Sequence, residues 1–215
     1  MTQTKRSVFP GWWVVAGAFL CMLTGYAVAY SFAAFFGALE SEFGARRGET
    51  ALVFSISAFL YFLLGFPAGL IADRTGPRPV VVGGLLLIAV GLVAAAQATS
   101  LWQIYAGYGL GVGVGIGLSY VPSVAAVQRW FVRSRGTASG IAVAGIGVGT
   151  LIGAPLAHQL IAHLGWRQTY LVLPPSPSWA LPSPVRWCDR RPSATASRPM
   201  ATRRIPRARA PCRPA

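Results

Sequence analysis

The sequence predicts an all-α fold, a polytopic bundle of membrane helices, and three observations carry that prediction. Of its 215 residues, 54% are hydrophobic and only 11% are charged, a balance outside that of ordinary soluble domains. Mean hydropathy is positive, at +0.54. Four uncharged runs, Ser7 to Leu39, Thr50 to Ala72, Pro79 to Gln128 and Gly136 to Trp166, each reach the ~20 residues that cross a ~30 Å hydrocarbon core as helix.

The first span covers about Trp12 to Phe36. Lys5 and Arg6 precede it and Ala27, Val28 and Ala29 imitate a cleavage site, but its apolar stretch exceeds the ~7 to 15 residues of a signal core and further spans follow. The second covers Thr50 to Ala72. The third run is long enough for two crossings, and its polar break at Gln97, Thr99, Ser100, Trp102 and Gln103 marks a short hairpin between Pro79 to Ala98 and Leu101 to Val127. The fifth span is Thr137 to Ile161. A sixth helix begins near Trp166 and meets Pro174, Pro175 and Pro177 about two turns later, where the ring and the missing N–H stop helical winding.

Within the fourth span the chain reads GYGLGVGVGIG, Gly107 to Gly117. Dinucleotide and Walker loops need glycines five apart, and the latter a following Lys. Here every glycine has an odd number and the only lysine is Lys5, so neither motif exists. Backbone groups in lipid must be satisfied internally, which makes the stretch helical. At ~100° per residue, Gly107, Gly111 and Gly115 form one stripe and Gly109, Gly113 and Gly117 another on roughly the opposite side. Both are small-residue series of the kind that lets helices approach closely, as are Gly145, Gly149 and Gly153 before Pro155. Static packing and sliding motion account for these stripes equally well.

Basic residues orient the chain. With the N-terminus inside, cytoplasmic segments hold Lys5, Arg6, Arg74, Arg78, Arg129, Arg133 and Arg135, while outer loops hold Arg46, Arg47 and Arg167, the bias of a cytoplasmic N-terminus. Glu40, Glu42 and Glu49 read as a solvated cluster with Arg46 and Arg47. Cys21, Cys188 and Cys212 lack metal-ligand spacing, and His158 and His163 sit near the outer end of the fifth span as interfacial side chains. No catalytic nucleophile, metal set or cofactor loop is present, which argues against an enzyme.

Two motifs add a family resemblance. GLIADRTGPRP, Gly69 to Pro79, also reads as a plain positive-inside loop, but it resembles the major facilitator superfamily signature G-x-L-A-D-R-x-G-R-K. Gly69, Ala72, Asp73, Arg74 and Gly76 match, Ile71 stands for Leu, Arg78 for Lys, and Pro77 replaces an Arg. The resemblance implies a reversible latch between transporter halves, with Asp73 central. WFVRSRGTASGIAVAG, Trp130 to Gly145, is similar to the loop and fifth helix of monocarboxylate transporters and oxalate/formate antiporters, through Trp130, Phe131, Arg133, Arg135, Ala138, Gly140, Ala142, Ala144 and Gly145. The fourth helix carries Gly107 and Tyr108 where much of the superfamily has a buried Arg, which agrees with the organic-anion branch.

The resemblance implies the N-terminal half of a major facilitator fold, five full spans plus a truncated sixth. It implies transport of small monocarboxylates or dicarboxylates by alternating access, with a proton or counter-anion as coupled species, in a multi-pass cell-membrane protein whose partners are the bilayer and its substrate. Gly25 and Tyr30 are spaced as Gly115 and Tyr120 are, as inverted repeats would be. On that reading Tyr30 and Tyr120 face one central cavity; buried aromatic packing is the equal alternative. Anion-binding cations, by resemblance, belong to the absent half, so the chain alone is expected not to transport. The rival class is a small non-transporting membrane protein, or a half-transporter acting through helix association.

The chain divides at residue 173. All 25 glycines precede that point, whereas the last 42 residues hold ten prolines and nine arginines. A basic arm for nucleic acid or anionic lipid and a native disordered tail both fit the charge, although nothing there supports specific nucleic-acid recognition. The break falls inside an expected helix, which favours a reading-frame shift in a GC-rich gene. Reading the coding DNA one base out of frame beyond codon 173 is therefore expected to restore an apolar sixth helix; no such helix in either frame contradicts the shift.

Overall fold

The computed structural model describes residues 11–131 and 134–173. The basic residues Lys5, Arg6 and Arg133 and the whole Pro/Arg-rich stretch 174–215 lie outside the described residues. Five long helices are apolar enough to cross a membrane: α1 (Gly11–Phe43), α2 (Arg47–Thr75), α3 (Pro77–Ala96), α4 (Leu101–Trp130) and α5 (Arg135–Leu164). A short α6 (Trp166–Val172) follows, and no strand occurs among the described residues. The protein is a multi-pass helical bundle.

Most helix ends overrun the expected spans by up to three residues and the end of α1 by seven, while α3 stops at Ala96, two residues before the expected Ala98. Hydropathy marks only the lipid-facing length, while helical hydrogen bonding continues into the charged ends until a cap or turn stops it. At α2, the Glu49 carboxylate accepts the Arg46 backbone N–H at 3.0 Å, closing the first turn. Gly76 stops α2 with φ +91°, its N–H bonded to the Ala72 carbonyl, and Pro77 opens α3. That positive φ is what the motif glycine supplies, and the departure from Arg at position 77 puts a pre-set φ at the first helical position.

The fourth helix departs from a uniform α-helix. Tyr105–Val112 winds as a π-helix between α-helical segments. Ser57, projecting from α2, donates its hydroxyl toward the carbonyls of Tyr108 and Gly109 at 3.4 and 3.3 Å. A side chain inserted against the ladder at a glycine-rich stretch is a recognised cause of such local re-winding. Apolarity and helix periodicity do not carry that information.

Helix α4 sits between α2 and α3, and the two glycine stripes are the reason. A Cβ added to Gly107 or Gly111 would lie within 3.0 Å of α3 backbone at Ala95 and Gly91, and one on Gly115 would lie 2.6 Å from the Gly84 carbonyl. On the other side, a Cβ at Gly113 would lie 2.8 Å from the Ser57 carbonyl of α2, and one at Gly117 would lie 3.1 Å from that of Tyr61. Gly109 is looser, 3.6 Å from Ile56. The two stripes thus face different helices. A Cβ added to Gly145, Gly149 or Gly153 of α5 would lie within 3.0 Å of the α1 carbonyl of Phe19, Leu23 or Ala27 respectively. Both sides of that seam advance by four residues, the 4-4 register of ridges into grooves.

One core cluster collects Phe32, Phe35, Leu39, Ile88, Leu92, Tyr108 and Tyr170, all fully buried. Tyr108 anchors it by donating to the carbonyls of Val28 and Ala29 at 3.0 and 3.1 Å. The Tyr170 ring of α6 stacks on Phe35 with centroids 4.1 Å apart, so the first turns of α6 are held against α1. If Ser57 backs the π-segment, Ser57→Ala lowers stability in detergent by about 1 kcal/mol, the size of an interhelical hydrogen bond in a membrane bundle. Ser55→Ala, which removes an exposed bond within α2, leaves the unfolding midpoint unchanged.

Candidate functional site

Near the middle of the bundle, aromatic side chains from three helices converge. Tyr26 of α1 is the hub: its ring stacks on Tyr30 at 6.2 Å and meets Tyr61 of α2 and Tyr120 of α4 edge-on at 6.1 and 5.9 Å. Tyr30 also packs against Phe54 of α2 at 6.0 Å. Tyr26 is 7% exposed while Tyr30 is 42% exposed, so the cluster runs from the core to an open face of the bundle. Each phenol carries one O–H donor, and the spans that present them contain no Lys or Arg between their charged ends. Donors without fixed charge suit an anion whose countercharge comes from elsewhere, because an unpaired ion at this depth is costly.

Tyr30 and Tyr120 each touch Tyr26. The void beside Tyr120, lined by Cys21, Met22, Gly25, Tyr26, Ile116 and Ser119, measures only about 10 Å³ and excludes Tyr30. Of the two tyrosines expected to face a cavity, Tyr30 is exposed and Tyr120 is half-buried. Sequence reading missed Tyr26 and Tyr61. Tyr26 is four residues from Tyr30, the spacing that puts two side chains on one helical face, so that signal was present. Tyr61 carries no such signal, because its contact with Tyr26 depends on how α2 is set against α1. The suggested repeat of Gly25 with Gly115 is not matched in packing: a Cβ on Gly25 meets only Ile116 at 3.9 Å, whereas Gly115 abuts the α3 backbone.

At the end of the bundle that carries the Gly76 turn, Asp73 pairs with Arg129, the last basic residue of α4. This ties α2 to α4 within one bundle, whereas the motif resemblance implied a role for Asp73 between transporter halves. Both side chains are at least half exposed, so the pair contributes no more than about 1 kcal/mol and weakens in salt. A Cβ added to Gly69 would lie 3.3 Å from the Val121 side chain of α4, so the two helices come close just inside the pair. Across the following loop, Arg135 donates from Nε to the Phe131 carbonyl at 3.0 Å. Phe131 meets Trp12 edge-on at 5.6 Å, and Trp130 borders the core formed by Val14, Ala18, Val127, Ala138 and Ala142. Of the small residues after that loop, Ala138, Ala142 and Gly145 are buried, and Gly140 has open space around it.

The opposite end carries a second tie. Glu42 of α1 takes Arg167 Nη2 at 3.1 Å, and the Trp166 indole N–H points to its other oxygen at 3.5 Å. Arg167 lies over the Trp166 ring at 4.8 Å. The glutamates are thus not one solvated cluster with Arg46 and Arg47: Glu42 reaches α6, Glu49 caps α2 and Glu40 approaches Arg47 at 3.7 Å. Among the described residues no group of His, Cys, Asp and Glu is placed to hold a metal ion.

Five crossing helices, close glycine seams and ion pairs confined to the two ends define an integral membrane bundle. Residues 17–202 match the Major Facilitator Superfamily, and the chain belongs to that family. It is 36% identical over 180 residues to monocarboxylate transporter 12-B of Danio rerio, covering 80% of this chain and 38% of that protein. Monocarboxylate transporter 13 of Bos taurus is 34% identical over 164 residues, with coverage of 76% and 38%. Monocarboxylate transporter 4 of Rattus norvegicus is 35% identical over 163 residues, with coverage of 76% and 35%. The chain spans little more than a third of the length of these relatives.

Proposed function

We propose that this bundle forms one wall of a transport path for small organic anions, monocarboxylates or dicarboxylates, in a secondary transporter that works by alternating access. The observation that carries the reading is the convergence of Tyr26, Tyr30, Tyr61 and Tyr120 from α1, α2 and α4, in a chain similar to monocarboxylate transporters. Phenol hydroxyls orient a carboxylate, and the wall's open side leaves room for a facing surface that supplies the cation. A proton or a counter-anion is the coupled species in this reading.

The Asp73–Arg129 pair and the Gly76 turn serve as the hinge-side part of the conformational latch. The pair joins helices of one bundle, so it sets where the Gly69 to Arg78 loop stands when a second half rocks against it. In our reading that end is cytoplasmic, as is the N-terminus, and the host is the cell membrane. The described bases Arg74, Arg78, Arg129 and Arg135 gather there, while all three glutamates are at the other end, consistent with the positive-inside bias.

Reconstituted alone, the chain is expected to touch short carboxylates weakly without moving them across the bilayer. Saturation-transfer NMR with lactate on proteoliposomes should show saturable contact that the double substitution Tyr26→Phe and Tyr120→Phe abolishes, with uptake at the protein-free background. Contact that is absent, or indifferent to the phenols, would count against the tyrosine wall. Saturable uptake would overturn the incompleteness of the path, and helix association with no carboxylate contact would favour the non-transporting class.

A further inference from the structure

Away from the tyrosine wall, α3 and α4 enclose a groove of about 640 Å³ on the outside of the bundle. Leu87, Val90 and Ala94 line one side and Ala106, Leu110 and Val114 the other, with Gln97 and Gln103 at one end. The groove exists because Gly91, Gly107 and Gly111 bring the two backbones into contact at its floor while the flanking larger side chains stand apart as walls. Val90 is 63% exposed and Leu110 50% exposed, so the walls run continuously into the apolar surface that this membrane protein presents to lipid.

We propose that this groove is a binding site for one phospholipid, its acyl chain laid along the apolar floor and its ester or phosphate oxygens at the glutamine end. Three features commit it to that occupant. From Leu87 to Gln97 the groove is about 15 Å long at 1.5 Å per residue, half the ~30 Å hydrocarbon core, so it spans one leaflet from the interface inwards. At about 30 Å³ per water-sized group its volume takes about twenty such groups, the bulk of one long acyl chain. The polar end lies at the α3–α4 hairpin, where a headgroup sits. There the Gln103 side-chain carbonyl already accepts the Thr99 N–H at 2.7 Å and approaches its hydroxyl at 3.2 Å, which leaves the Gln103 NH₂ as the donor. A donor at the mouth selects the acceptor-rich ester and phosphate region of a glycerolipid. On the orientation proposed above, the leaflet is the outer one. The site itself requires only that the bundle spans a bilayer.

Native mass spectrometry of the full chain in detergent micelles doped with dioleoyl-phosphatidylcholine tests this. Wild-type protein retains one phospholipid per chain at low collisional activation. Ala94→Phe and Ala106→Phe, exposed positions on opposite walls, each fill the groove and lower the bound-to-free ratio about tenfold or more. Val93→Phe, on the exposed surface of α3 beside the groove and outside its lining, retains the lipid. Thermal midpoints follow the same order: added phospholipid raises that of the wild type and of Val93→Phe and leaves the two groove variants unchanged. A wild type carrying detergent only, undiminished retention in either groove variant, or equal loss in Val93→Phe overturns the proposal.

Discussion

Backbone contact on two opposite faces of α4 is the constraint on which the rest of the bundle depends. In lipid, burying apolar side chains against one another brings little hydrophobic gain, and close packing of backbones takes its place. Gly107, Gly111 and Gly115 set the distance to α3, and Gly113 and Gly117 set the distance to α2. Once both distances are fixed, Ser57 can reach the carbonyls of the π-segment, and Asp73 comes into register with Arg129. The α1–α5 seam repeats the device with glycines on one helix and carbonyls on the other.

This packing separates the chemistry by depth. Charge is confined to the two ends, where Asp73–Arg129 ties α2 to α4 and Glu42–Arg167 ties α1 to α6. The middle holds neutral donors, the phenols around Tyr26. The end pairs and the glycine seams join helices of the same bundle. The same close contact that seats α4 also forms the groove over Gly91 and Gly111.

Much of the fold was legible in the sequence because its determinants are local. Uncharged length marks a span, and the five crossing helices follow the uncharged runs. The four-residue spacing of the glycines separates two helical faces, and the faces meet different partners. The Gly76 turn and Pro77 read directly as a helix stop and start. What was not legible depends on register between helices. Arg129 as the partner of Asp73, Tyr61 beside Tyr26, and Glu42 turned to Arg167 all join residues more than thirty positions apart. The π-winding of Tyr105–Val112 coincides with a contact from Ser57 on a neighbouring helix, which helix periodicity does not mark.

Single Gly→Ala substitutions, followed by thermal unfolding in one detergent, test the central constraint most directly. Gly113 and Gly115 have no space for a methyl group, with backbone atoms 2.8 and 2.6 Å from the added carbon, whereas Gly83 and Gly147 have nothing within 4 Å. The account predicts a loss of about 1–3 kcal/mol at each of the first two sites, from overpacking. At the second two, where alanine only stiffens the helix, it predicts no loss or a gain of up to about 1 kcal/mol. Equal effects at all four positions would contradict the claim that backbone contact on two faces of α4 holds the bundle together.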